Sequence, residues 1–175
     1  ENGISPIELA TLFSIWSLVG IVAEVPSGAL ADTFSRKWLV VASGVLKSFA
    51  FLTWYLEPNF WGYAAGFALW GVGSSLRSGA WEALLHDLLA QWKATGDFTR
   101  IFGRTNALAT LGVGAGELAG GLMIILGYDF VLLISMVIPL IAVAPFALWV
   151  NDPPKDEETY ESDYFANLKA GIVEA

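Results

Sequence analysis

Between residues 9 and 150 the chain is cut into five apolar runs, each close to the thickness of a bilayer, and this limits its fold more than any other feature. Residues 9–31 hold one charge, Glu24; residues 38–56 only Lys47; residues 60–80 only Arg77; residues 105–126 only Glu117; and residues 130–150 none. A helix rising about 1.5 Å per residue needs about 20 residues to cross the ~30 Å hydrocarbon layer. A soluble core has no use for such runs, and the composition, 55% hydrophobic against 15% charged, agrees with a membrane protein. Strict alternation is absent, which excludes a β-barrel. The expected fold is therefore an all-α membrane protein: an extracytoplasmic segment at residues 1–8, a five-span transmembrane bundle at 9–150 and an acidic cytoplasmic linker at 151–175.

Orientation follows from the basic residues. Arg36 and Lys37 lie in the first separator and Lys93, Arg100 and Arg104 in the third, whereas the second (57–59) and fourth (127–129) have none. The positive-inside rule places the first and third separators in the cytoplasm, residues 1–8 outside and residues 151–175 inside, in a multi-pass protein of the cell membrane. Trp38, Trp54, Trp61 and Trp149 fall near span ends, where an aromatic belt is expected. Much of the net charge of −8 belongs to the tail, which reads as a solvated segment and offers nothing to nucleic acid. Within the tail, Tyr164, Phe165, Leu168 and Ile172 have the spacing of a short amphipathic helix. With no cysteine and a lone His86, no metal site or cofactor is expected, and no Ser/His or paired-acid constellation points to an enzyme. The start at Glu1, without Met, reads as that of a fragment or a processed product.

The first separator and its flanks read "SGALADTFSRKW" (27–38), which resembles the loop signature G-x-L-A-D-R-x-G-R-K of the major facilitator superfamily. Gly28, Leu30, Ala31, Asp32, Arg36 and Lys37 match; Thr33 and Ser35 depart from it. In the fourth run, "GVGAGELAGG" (112–121) is similar to the G-x-x-x-G-P-x-x-G-G of the fifth span of that family's proton-coupled antiporters. Gly112, Gly116, Gly120 and Gly121 match, and Glu117 stands in place of Pro. The stretch "SGAWEALLHDLL" resembles the family's SGxxEALxYDxL, with His86 in place of Tyr. The family's usual Arg early in the fourth span is missing from "FALWGVG".

The resemblance implies five spans of a six-helix amino-terminal bundle, with a first span and a carboxy-terminal half lying elsewhere. It implies alternating access, with a small-molecule substrate, protons and the lipid bilayer as partners. Export of amphipathic or drug-like compounds against protons is the first expectation. Metabolite symport is an alternative, and a non-transporting scaffold is one of another class. A conformational latch is implied for Gly28, Asp32, Arg36, Lys37 and Asp87, with Asp32 capping a helix of the opposite half and Arg36 pairing with Asp87.

Charges inside a bilayer are costly and mark functional positions. Glu117, Glu24, Arg77 and Glu82 are thus the candidates for proton or substrate binding. Glu117 falls near the centre of its apolar run and binds a proton or a cation, or else bonds to a neighbouring helix. Glu24 faces a cavity or pairs with Lys47. Arg77 holds an anionic substrate or neutralises Glu82. His86 either senses pH or makes an interfacial hydrogen bond, and Ser74, Ser75 and Ser78 are possible donors to a substrate. Gly112, Gly116, Gly120 and Gly121 are the helix-packing glycines, those four apart lining one face for close approach, and Pro139 and Pro145 bend the last span.

Overall fold

The computed structural model describes residues 3–151, and every regular element in that range is helical. Five α-helices follow one another: α1 (Pro6–Thr33), α2 (Arg36–Leu56), α3 (Phe60–Gln91), α4 (Phe98–Met123) and α5 (Tyr128–Trp149). Single 3₁₀ turns, Thr95–Asp97 and Ile124–Leu126, flank α4. The acidic tail and the amphipathic pattern around Tyr164 lie outside the described residues.

Local chemistry starts the first three helices. At α1 the Ser5 Oγ accepts from the Glu8 N–H at 3.3 Å, while the Ser5 N–H donates to Glu8 Oε2 at 2.8 Å, a reciprocal capping box followed by Pro6. Ser35 Oγ accepts from the Trp38 N–H at 3.3 Å and opens α2. Asn59 Oδ1 accepts from the N–H groups of Trp61 and Gly62 and opens α3. Before α5 the chain turns at Gly127, whose φ of 105° suits a residue without Cβ.

The helices run past the apolar runs that contain them. The first separator shrinks to Phe34 and Ser35, and most of the third is helix, leaving residues 92–97 as the connection. Hydropathy marks where the polar residues begin, but a helix satisfies its own backbone and continues through them. Among the described residues, four stretches are long and apolar enough to cross a membrane: α1, α2, Thr95–Leu126 and α5. α3 has the length, but its Trp, Tyr, Gly, Ser and Arg77 dilute its hydropathy. This helix has neighbours on two flanks and so less need of a lipid-compatible surface.

The packing order is α1, α3, α2, α5, with α1 and α2 scarcely meeting. Small residues set the spacing. A Cβ on Gly71 would lie 2.9 Å from the Trp16 carbonyl on α1, and one on Gly73 would lie 3.1 Å from the Ser43 carbonyl on α2. Ser75 Oγ donates to the Gly20 carbonyl at 2.8 Å, which fixes the register of α1 on α3. α5 reaches α3 through side chains at two levels: Leu132 joins Leu12, Trp54 and Tyr63, and Phe146 meets Trp81 edge-on at 5.7 Å. By contrast α4 has no buried residue and touches its neighbours lightly.

Candidate functional site

At the end of the bundle carrying the α1–α2 turn, one guanidinium joins three helices. Arg36 Nη1 lies 2.5 Å from Asp87 Oδ2 on α3, and Nη2 lies 3.9 Å from Asp32 Oδ1 on α1. Its Nε donates to the Ala31 carbonyl at 3.2 Å. The Arg36 and Asp87 side chains are 19% and 27% exposed, so the contact is sheltered without being dry. Lys37 stays outside this cluster, with Nζ 4.9 Å from the centre of the Trp38 ring. A Cβ on Gly28 would meet nothing within 4 Å; the close approach comes from the other helix, where one on Gly79 would lie 3.4 Å from the Gly28 nitrogen.

The two departures from the loop signature have local roles. Thr33 Oγ1 donates to the Ala29 carbonyl at 3.0 Å inside α1. Ser35 has φ −61°, so no glycine is required there, and its hydroxyl caps α2.

Farther along the same helices, three charges share one depth. Glu24 lies eight residues from Asp32, Lys47 eleven from Arg36, and Arg77 ten from Asp87. At about 1.5 Å per residue these are roughly 12, 16 and 15 Å from the ionic cluster. Glu24 Oε1 accepts from Ser78 Oγ at 2.9 Å. Lys47 Nζ lies 5.9 Å from the centre of the Trp70 ring. Trp70, Gly73 and Arg77 have the spacing of one helix face, and Gly73 places that face against α2, with Lys47 Cγ 3.7 Å from where its Cβ would lie; Arg77, one turn on, is exposed. Lys47 and Arg77 both lie within two residues of the middle of their helices, Arg77 because α3 runs eleven residues beyond the apolar run.

Two expected pairings do not form. Glu24 and Lys47 occupy opposite flanks of α3, and Arg77 and Glu82, five residues apart, do not share a face. Among the described residues no carboxylate lies within 4 Å of either Lys47 or Arg77. Glu82 and His86 are exposed, with the His86 ring edge-on to Phe98 at 5.7 Å. Glu117 sits apart on α4, exposed and six residues from the end of the helix, away from its centre. A Cβ on Gly112, Gly116, Gly120 or Gly121 would meet nothing within 4 Å.

Toward the opposite end lies a cavity of about 860 Å³ lined by Leu12, Trp54, Tyr63, Phe67, Tyr128 and Leu132, among others. Its wall is aromatic and ordered: Trp54 Nε1 donates to the Tyr63 carbonyl at 3.2 Å, and the Trp54 ring packs 4.9 Å from Phe67 and 5.5 Å from Trp70. The belt expectation therefore separates by residue. Trp38, Trp61 and Trp149 are exposed, whereas Trp54 is only 8% exposed and belongs to the core. Trp70 touches both Trp54 and Lys47, so the aromatic wall and the charged layer are contiguous. Helical spacing of Phe51, Trp54, Phe67 and Trp70 was the available signal for this wall; nothing in the sequence pairs the two helices that carry it.

A family model described as the Major Facilitator Superfamily matches residues 1–170. Over 153 residues the chain is 29% identical to an uncharacterized 38 kDa protein in the 23S RNA operon of Thermoproteus tenax. That match covers 86% of this chain and 39% of the other, so the chain spans about two fifths of that relative's length. No solved structure matches.

Proposed function

Because the chain belongs to the major facilitator superfamily, a family of membrane transporters, we propose that it forms part of a secondary active transporter exporting small amphipathic compounds in exchange for protons. The observation that carries this reading is the Arg36 cluster, which ties α1, α2 and α3 together at one end. A sheltered ionic contact of this kind biases a two-state equilibrium by about 1–3 kcal/mol, enough to redistribute populations without freezing one state. In the proposal the cluster faces the cytoplasm of a cell membrane. Asp32 reaches a helix end in the other half of the transporter, and the contacts open and close as two bundles rock around a central site.

Glu117 is assigned the proton. It lies on α4 beside glycines four apart, which suit a helix that packs closely against a moving neighbour. Glu82 and Glu24 remain secondary candidates, since both are exposed on helices that also carry the ionic cluster.

The test compares cells with and without the full-length protein for accumulation of an amphipathic fluorescent dye. The expected result is higher accumulation in the cells without it, with the difference erased by an uncoupler. Equal accumulation in both strains overturns export.

A further inference from the structure

The mid-depth layer is electrically unbalanced. Lys47 and Arg77 lie on the α2–α3 flank: the half-buried Lys47 packs against Gly73, where a Cβ would lie 3.7 Å from its Cγ, and Arg77, exposed, stands one helical turn farther along α3, so their like charges repel. Glu24 lies on the other flank of α3 and is occupied by the Ser78 hydroxyl. Two neighbouring cations in an apolar layer are costly, and a bound anion removes both the repulsion and part of the desolvation cost.

The surroundings specify more than charge. The Lys47 ammonium lies 5.9 Å from the centre of the Trp70 ring, which also stacks on Trp54, and Trp54 lines the aromatic cavity. Lys47 and Trp54 are seven residues apart on α2, roughly 10 Å along the helix. That separation suits a molecule with an anionic head joined to an apolar ring by a few carbons.

We propose that Lys47 and Arg77 bind the carboxylate of the transported compound, whose apolar body enters the cavity lined by Trp54 and Phe67. This rests on the transporter reading and adds the class of cargo, an amphipathic organic anion.

The experiment is equilibrium binding to the detergent-solubilised full-length protein, read by energy transfer from tryptophan to pyrene. Three probes share one ring: pyrenebutyrate, its methyl ester and pyrenebutyl-trimethylammonium. Saturable binding is expected for the carboxylate, with the ester and the cation each weaker by about tenfold or more. Arg77→Gln and Lys47→Gln should each abolish that preference, whereas Arg77→Lys should keep most of it. If one Gln variant fails to fold, the other carries the test, and Arg77→Lys reports on the charge alone. Absence of saturable carboxylate binding, equal binding of the ester, or an unchanged preference in a folded Gln variant overturns the proposal. A carboxylate supplied by another segment of the full-length protein would give the first of these results. Gradient-driven movement of pyrenebutyrate in proteoliposomes is measured separately: selective binding without movement overturns the transporter reading and leaves the anion site standing.

Discussion

Arg36 holds most of the information at the scale of single residues, because one side chain contacts both neighbouring helices. Arg36→Ala and Asp87→Ala should each shift the balance of transporter states, and the double variant should cost less than the sum, leaving a coupling of about 1–3 kcal/mol. Transport rates of the four proteins close the cycle; additive losses would mean that the two side chains act separately. Next to it in the chain, Ser35 offers a sharper contrast. Its hydroxyl caps α2 and its φ is ordinary, so Ser35→Ala should cost about 1 kcal/mol of stability and Ser35→Gly only a few tenths. Thermal unfolding in detergent checks the order, and a larger loss for Gly than for Ala would mean that the cap contributes nothing.

Among the elements, α3 decides the packing, since α1 and α2 both lean on it and barely on each other. Gly73→Val should drive a side chain into the Ser43 carbonyl, push α2 away from α3 and cost about 1–3 kcal/mol, a loss visible in the unfolding temperature. Stability equal to the parent would show that the helices can separate at that point without penalty. How far the elements were legible in the sequence follows from what hydropathy measures. It locates apolar runs, and each of the five runs has its helix. Helix ends need another signal, and it is present: Ser5 with Glu8, Ser35 and Asn59 are capping residues readable from the sequence, while apolarity alone ends α3 eleven residues early at Ala80. That Arg36 pairs with an acid is what the family resemblance implies, and topology, which puts Asp87 at the same end as Arg36, made that acid legible. The flank that each charge occupies was not: depth alone cannot show that α3 stands between Glu24 and Lys47, and only the packing of Gly71 and Gly73 makes that visible.

For the whole molecule, Glu117 and the two charged levels have separate tasks in the proposed cycle, and each can be perturbed alone. Glu117→Gln should flatten the pH dependence of transport in proteoliposomes; a full rate with the parent's pH profile would remove Glu117 from the coupling. The length of α3 adds a consequence for the level of the Arg36 cluster. Its 32 residues extend about 48 Å, well beyond the ~30 Å hydrocarbon layer, and the excess at one end carries Glu82, His86 and Asp87. The Arg36–Asp87 contact therefore lies where dissolved ions reach its surroundings, whereas Lys47 and Arg77 lie about 15 Å deeper. Mobile ions screen over ~10 Å at 0.1 M and ~3 Å at 1 M. Ionic strength thus becomes a control separate from proton concentration: salt should loosen the contact proposed to set the timing of the cycle while leaving the proposed anion preference of the deeper layer unchanged.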